Sequence, residues 1–267
     1  MHHNKGSWRK TSTILKITAV TAAVGLLAMP AAARHAWKNY HWARTTTQIS
    51  PPVGDNVSSQ WDSYLNTAVA DWNRSTVIES ALTAGQTTPA TCDPKPGRIE
   101  VCNGAYGQNG WLGIASIWLT NGHISQGTSK MNDTYYATAQ YNTPAWRAAV
   151  MCQEIGHDYG LAHQDENFRT DATSSCMEYT NIPAGNEHPD QHDYDQLLSI
   201  YSHTDSAAAT LPGKSAKAPG NEMRNWGRVI GTDKQGHWNQ FERDLGDGTK
   251  VITHVTWLPG MHVGHKH

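Results

Sequence analysis

Gln153-Glu154-Ile155-Gly156-His157-Asp158-Tyr159-Gly160-Leu161-Ala162-His163 is the stretch on which the fold turns. Upstream, Thr143-Pro144 is a helix start, since Thr caps and Pro suits the first helical position. The helix it opens runs through Trp146, Val150 and Ile155 and is expected to stop near Tyr159, where Gly160 supplies a left-handed turn. On such a helix residues 153 and 157 share a face, and Glu154 lies about 100° further round. The reversal at Gly160 returns His163 toward His157. Two imidazoles, an amide and a carboxylate about one point suit a metal-activated water. The metal lowers the water's pKa toward neutrality, and the carboxylate takes and returns the proton.

The segment resembles the metzincin zinc-protease signature H-E-x-x-H-x-x-G-x-x-H, with Gln153 standing for the first His. Ser175-Cys176-Met177-Glu178-Tyr179 resembles that family's methionine turn. A Tyr two residues after the Met is similar to the astacin and serralysin variants, whose hydroxyl ligates zinc or stabilises the transition state. The whole chain is also similar to a group of secreted bacterial proteins with the same Q-E-I-G-H reading. The likeness covers roughly residues 57–202, and its residue-level motifs are confined to 153–179.

The resemblance implies an α+β fold of zincin type. It would have a twisted mixed sheet, an active-site helix and a Met-turn, with a small C-terminal β-hairpin extension. It implies Zn²⁺ held by His157, His163 and Gln153, Glu154 as general base, Tyr179 at the oxyanion and Met177 packed beneath the metal. The substrate would be a polypeptide, bound as an added strand at an edge that the apolar segment 111–120 supplies or neighbours. A Gln oxygen is a harder and weaker ligand than imidazole, so two readings stand. Either Gln153 coordinates zinc in an endopeptidase, or the domain is an inactive binding or structural module. A His outside the motif, such as His123 or His192, is a further candidate ligand, and Asp165 a candidate to orient an imidazole. His188, His262, His265 and His267 read as surface or tail residues.

Around this centre the chain reads as an exported protein. Lys5, Arg9, Lys10 and Lys16 precede the apolar run Ile17–Met29, and Ala31-Ala32-Ala33 makes a cleavage site, so residues 1–33 read as a signal peptide. An uncleaved anchor is disfavoured, because the run is shorter than a membrane span. Removing that leader leaves 17 basic against 23 acidic residues, a net charge of −6. Such a balance argues against a nucleic-acid partner, and a membrane partner is not expected after cleavage. The mature product is expected to be a secreted monomer.

Cys92, Cys102, Cys152 and Cys176 then read as two disulfides. Cys92 and Cys102 flank a Pro/Gly turn, which makes that local bridge the simplest of three connectivities and leaves Cys152 with Cys176. A structural zinc site is disfavoured, since no C-x-x-C pair occurs. In the metzincin-like arrangement the second bridge would fix the Met-turn against the helix.

The domain reading is 1–33 leader, 34–56 N-terminal segment, 57–202 catalytic domain, 203–222 linker and 223–267 C-terminal β extension. Within it, 57–73 and 185–201 are predicted helices, the latter burying Tyr194, Leu197, Leu198 and Tyr201. Residues 98–102 and 111–120 are predicted strands, followed by a turn rich in Gly, Ser and Thr and a strand-like piece near Tyr135. Gly246-Asp247-Gly248 signals a hairpin within 226–257. Eleven Trp and ten Tyr against two Phe call for a real core.

Overall fold

The apolar run Trp111–Thr120 forms strand β5, and its near-continuous hydrophobicity follows from burial on both faces. Asn121 and Gly122 take φ values of 51° and 86°, a two-residue turn that folds the chain into the antiparallel strand β6, His123–Asn132. These two strands lie at the heart of the computed structural model. It describes residues 1–3, 6, 35–168, 174–210, 216–246, 248–261 and 263–264. The leader reading falls almost wholly outside the described residues. Ala33–His267 forms one compact unit and Met1–Ala32 another.

The remaining elements of the larger unit build outward. Strands β1 (His41–Trp42), β2 (Val53–Asn56), β3 (Leu82–Ala84) and β4 (Ile99–Gly104) are all parallel to their neighbours. At the other end of the chain come β7 (Arg228–Thr232), β8 (Trp238–Gly246) and β9 (Thr249–Trp257), all antiparallel. Together they make one mixed sheet in the order β3-β2-β4-β6-β5-β9-β8-β7, with β1 beside the start of β6. Helix α1 (Asp62–Trp72) buries Leu65, Ala68, Val69 and Trp72 and packs on α3 (Pro144–Asp158), which also lies against β5 and β6. A short α2 (Asp133–Tyr136) and α4 (Gln191–Ile200) complete the α+β architecture.

Helix α3 begins as its sequence requires. Thr143 accepts from the Trp146 N–H, Pro144 follows, and the helix ends at Asp158 before Gly160 at φ 95°. Its middle is buried on every side, from Ala149 to Asp158. Gly156 makes this possible: a Cβ there would sit 2.5 Å from Met177 Sδ and 2.6 Å from Trp72 Cζ2. Trp72 Nε1 also donates to the Cys152 carbonyl at 3.0 Å. Disulfides join Cys92 to Cys102 and Cys152 to Cys176.

Five expectations are corrected. The polar stretch after Gly122 is a ten-residue interior strand rather than a turn, and the piece near Tyr135 is the helical turn α2. Hydrophobic patterning misses β6 because its buried polar groups are paired. Ser129 donates to Asp158 Oδ2 at 2.7 Å and Lys130 Nζ to Asn221 Oδ1 at 2.7 Å. Leu198 faces solvent, 51% exposed, while α4 buries Asp193, Gln196 and Leu197. Most consequentially, the C-terminal strands are part of the main sheet, and β5 is no edge. Strand β9 pairs with it from Trp111↔Trp257 to Thr120↔Thr249. The opposite face of this junction is sealed by Trp111, Ile114, Trp226, Phe241, Val255 and Trp257.

Gly156→Ala tests the close packing behind α3. Alanine raises helix propensity by about 1 kcal/mol, yet overpacking at 2.5–2.6 Å costs about 1–3 kcal/mol. Thermal unfolding should show a lower midpoint for the variant; an equal or higher one refutes the tight fit.

Candidate metal centre

Helix periodicity puts residues 153 and 157 on one face of α3. Strand periodicity puts residues 254 and 256 on one face of β9. The register sets small residues of β5 opposite that pair, Ala115 against His254 and Gly113 against Thr256. The two faces meet residue for residue. His157 and His254 stack with ring centroids 4.0 Å apart, and Thr256 Oγ1 donates to Gln153 Oε1 at 2.7 Å.

His157, His163 and His254 therefore converge, with one ligating atom of each within 4.8 Å of the others. All three are buried, at 0%, 7% and 1% exposure. The His157 Nδ1–H donates to the Leu161 carbonyl at 2.8 Å, which leaves Nε2 as a lone pair. His163 Nδ1 faces Glu166 Oε1 at 3.5 Å and its Nε2 approaches His157 Nε2 to 3.2 Å. A cation between these two nitrogens would accept both as ligands. Nitrogens of a tetrahedral zinc site stand about 3.3 Å apart. Neither ring nitrogen of His254 has a hydrogen-bond partner. Burial, together with the neighbouring imidazoles, holds His157 and His254 well below the ordinary imidazole range, in the neutral ligating form. Three imidazoles with converging ring nitrogens fit a zinc ion.

Gln153 is not placed as the sequence suggested. Its Nε2 donates to the carbonyls of Cys176 at 3.0 Å and Glu178 at 3.1 Å, and its Oε1 is taken by Thr256. The amide thus uses both ends to bind the Cys176–Glu178 segment to β9, where an imidazole could satisfy fewer of these groups. His254 stands beside His157 and His163 in its stead. Sequence reasoning missed it because it lies far beyond the motif, although a lone His inside the strand-like run KVITHVTW was a usable signal. The other candidates lie elsewhere: His192 stacks on His35 at 4.7 Å, and His123 faces Asp205. Asp165 pairs with Lys234 at 2.5 Å, and it is Glu166 that reaches His163.

Glu154 is wholly buried, and the polar side chain beside its carboxylate is the Thr256 hydroxyl that Gln153 also engages. A Cβ on Gly113 would lie 2.3 Å from its Oε1, so β5 is shaped around it. Burial, with Asp158 nearby, pushes its carboxyl well above the usual range. The Tyr179 ring lies 4.2 Å from His163 and 4.7 Å from Phe168, and its hydroxyl accepts from Asn239 Nδ2 at 3.0 Å. Met177, fully buried, lies against the Gly156 backbone. A narrow cleft borders Gln153, Phe168, Tyr179, Thr256 and Trp257.

No protein-family model and no curated protein matches this sequence. Among solved structures the chain is similar to high choriolytic enzyme 1, a hatching-enzyme zinc-protease from the medaka fish Oryzias latipes. Identity is 13%, covering 61% of this chain and 94% of that one, with a TM-score of 0.34. It is similar also to myroilysin, at 12% identity over 64% of this chain and 85% of that one, with a TM-score of 0.36.

Gln153→Ala should strip a buried hydroxyl and two buried carbonyls of their partner. At about 1–3 kcal/mol for an unsatisfied group, chemical denaturation should show a loss of about 2–4 kcal/mol. Thr256→Val should lose less, since it orphans Gln153 Oε1 alone. A neutral Gln153→Ala would show that the amide does not tie these segments together.

Proposed function

We propose that the chain is an exported zinc-dependent endopeptidase whose centre is His157, His163 and His254, with Glu154 as general base. The observation that supports this most is the pairing of three convergent imidazoles with a wholly buried carboxylate that faces no cation of the protein's own among the described residues, on the next helical position from Gln153. Such a carboxylate is costly to bury without a paired charge. Bound zinc would supply Lewis-acid polarisation and an acidified water. Glu154 would accept the proton from that water and return it to the leaving amine. The Tyr179 hydroxyl, positioned by Asn239, would donate to the carbonyl oxygen as charge develops there. Gln153 holds the Met-turn and β9 in register and takes no part in the chemistry. The two disulfides support an oxidising compartment, and no described helix is long and apolar enough to cross a membrane.

The geometry also constrains substrate entry. Because β9 occupies the whole length of β5, a peptide is not added at that strand. The cleft beside Gln153, Phe168, Tyr179 and Trp257 is the proposed approach. A second reading, a metal-stabilised module without activity, is favoured by the burial of Glu154 and of the trio.

Two variants separate these readings. Glu154→Gln should retain one zinc at the trio and lose hydrolysis of an unfolded polypeptide by at least about 100-fold, the low end of general-base contributions. His254→Ala should lose that zinc. A zinc content in His254→Ala equal to that of wild type refutes the ligand assignment; a zinc-loaded wild type that leaves the polypeptide intact establishes the inactive module.

A further inference from the structure

We propose that His41, His123, His203 and Asp205 form a second zinc site, which staples the N-terminal segment to the end of α4. The four residues arrive from three places. His41 lies in β1 and is the register partner of His123, the first residue of β6. His203 and Asp205 follow the C-cap of α4 at Tyr201. Asp205 is locked to the N-terminal segment by its backbone: its N–H donates to the Arg44 carbonyl at 2.7 Å, and its Oδ2 accepts from the Arg44 N–H at 2.8 Å.

The donor atoms face one another. His123 Nε2 is 3.1 Å from Asp205 Oδ1, His203 Nε2 is 3.4 Å from the same oxygen, and His41 Nε2 is 3.6 Å from Oδ2. His41 Nε2 and His203 Nε2 are 3.2 Å apart. These separations bracket the roughly 3.3 Å expected between donors of a tetrahedral zinc ion. The His41 Nδ1–H donates to the Asn39 carbonyl at 2.7 Å, so its Nε2 is a lone pair pointing inward. The rings of His123 and His203 lie edge-on to it, at 4.7 and 4.9 Å between centroids. Three imidazoles and one carboxylate are a borderline donor set, suited to zinc rather than to calcium or magnesium.

Exposure differs from that of the trio. His41, His123 and Asp205 are 13%, 20% and 11% exposed and His203 50%. A groove lined by Lys38, Asn39, Gln196 and Ser199 reaches His41 and His203, which gives the ion an entry path. The site is closed by four protein donors, the pattern of a structural rather than a catalytic zinc. The segment it would hold is the one that grips the loop bearing His163: Trp37 N–H donates to the Gly160 carbonyl, and Ala162 N–H to that of His35. Zinc here would stabilise the fold by binding the native state alone.

Native mass spectrometry of the mature chain titrated with zinc chloride tests this. Wild type should take two zinc ions. His41→Ala/His123→Ala should take one, His163→Ala/His254→Ala should also take one, and the four-fold variant none. His203→Ala, at a half-exposed position that need not disturb folding, should weaken one of the two sites at least tenfold. The weaker zinc equivalent should raise the unfolding temperature of wild type and not that of His41→Ala/His123→Ala. A wild type that takes a single zinc, lost on replacing His163 and His254 but kept without His41 and His123, overturns the second site. A single zinc lost in the opposite pattern upholds it and overturns the trio.

Discussion

The pairing of β9 with β5 is the interaction on which the rest of the molecule depends. It places His254 over His157 and Thr256 over Gln153 in one register, so a single strand supplies both an imidazole and the hydroxyl that captures the amide. Slipping that strand by one residue would turn both side chains to the opposite face, toward the Trp226 and Phe241 cluster. Polar groups would then meet an apolar layer, and His157, His163 and Gln153 would lose their partners together. The apolar cluster and the polar centre therefore specify the same register from opposite sides of the sheet.

Helix α3 accommodates this by being buried along nearly its whole length while carrying Gln153, Glu154, His157 and Asp158. Each has a different solution. Gln153 is satisfied by three hydrogen bonds, His157 by the Leu161 carbonyl and its neighbouring rings, and Asp158 Oδ2 by Ser129. Glu154 has the Thr256 hydroxyl near its carboxylate, which Gln153 Oε1 also engages, and the wall facing it is glycine. The N-terminal segment closes the other side: the Trp42 indole donates to the Asp158 carbonyl at 2.8 Å and the Trp37 ring stands edge-on to His157.

What the sequence disclosed and what it hid follow from one distinction. Local signals were legible: the Thr143-Pro144 start, the Gly160 stop, the apolar β5 and the Gly-rich turn before β9 all act through their immediate neighbours. So was the clustering of His157 and His163, which a single helix end and turn bring together. His254 was not legible, because its position depends on a sheet pairing that spans most of the chain. Strand β6 was hidden for a related reason: Gln126, Thr128, Ser129 and Lys130 are buried in it, and composition alone assigns such residues to loops. The Gln153 substitution looks like damage to a motif in isolation and becomes intelligible only beside Thr256.

Thr256 and Gln153 are 103 residues apart in sequence. Contacts of such separation are entropically costly to close and form slowly. A chain that has formed α3 and the parallel strands, yet has not docked its last strand, possesses two of three imidazoles and an amide without its hydroxyl. It is also left with an open β5 edge, the kind of surface that invites aberrant pairing. Completion of the sheet thus doubles as a checkpoint on assembly, since the three imidazoles are gathered only in molecules whose last strand has docked.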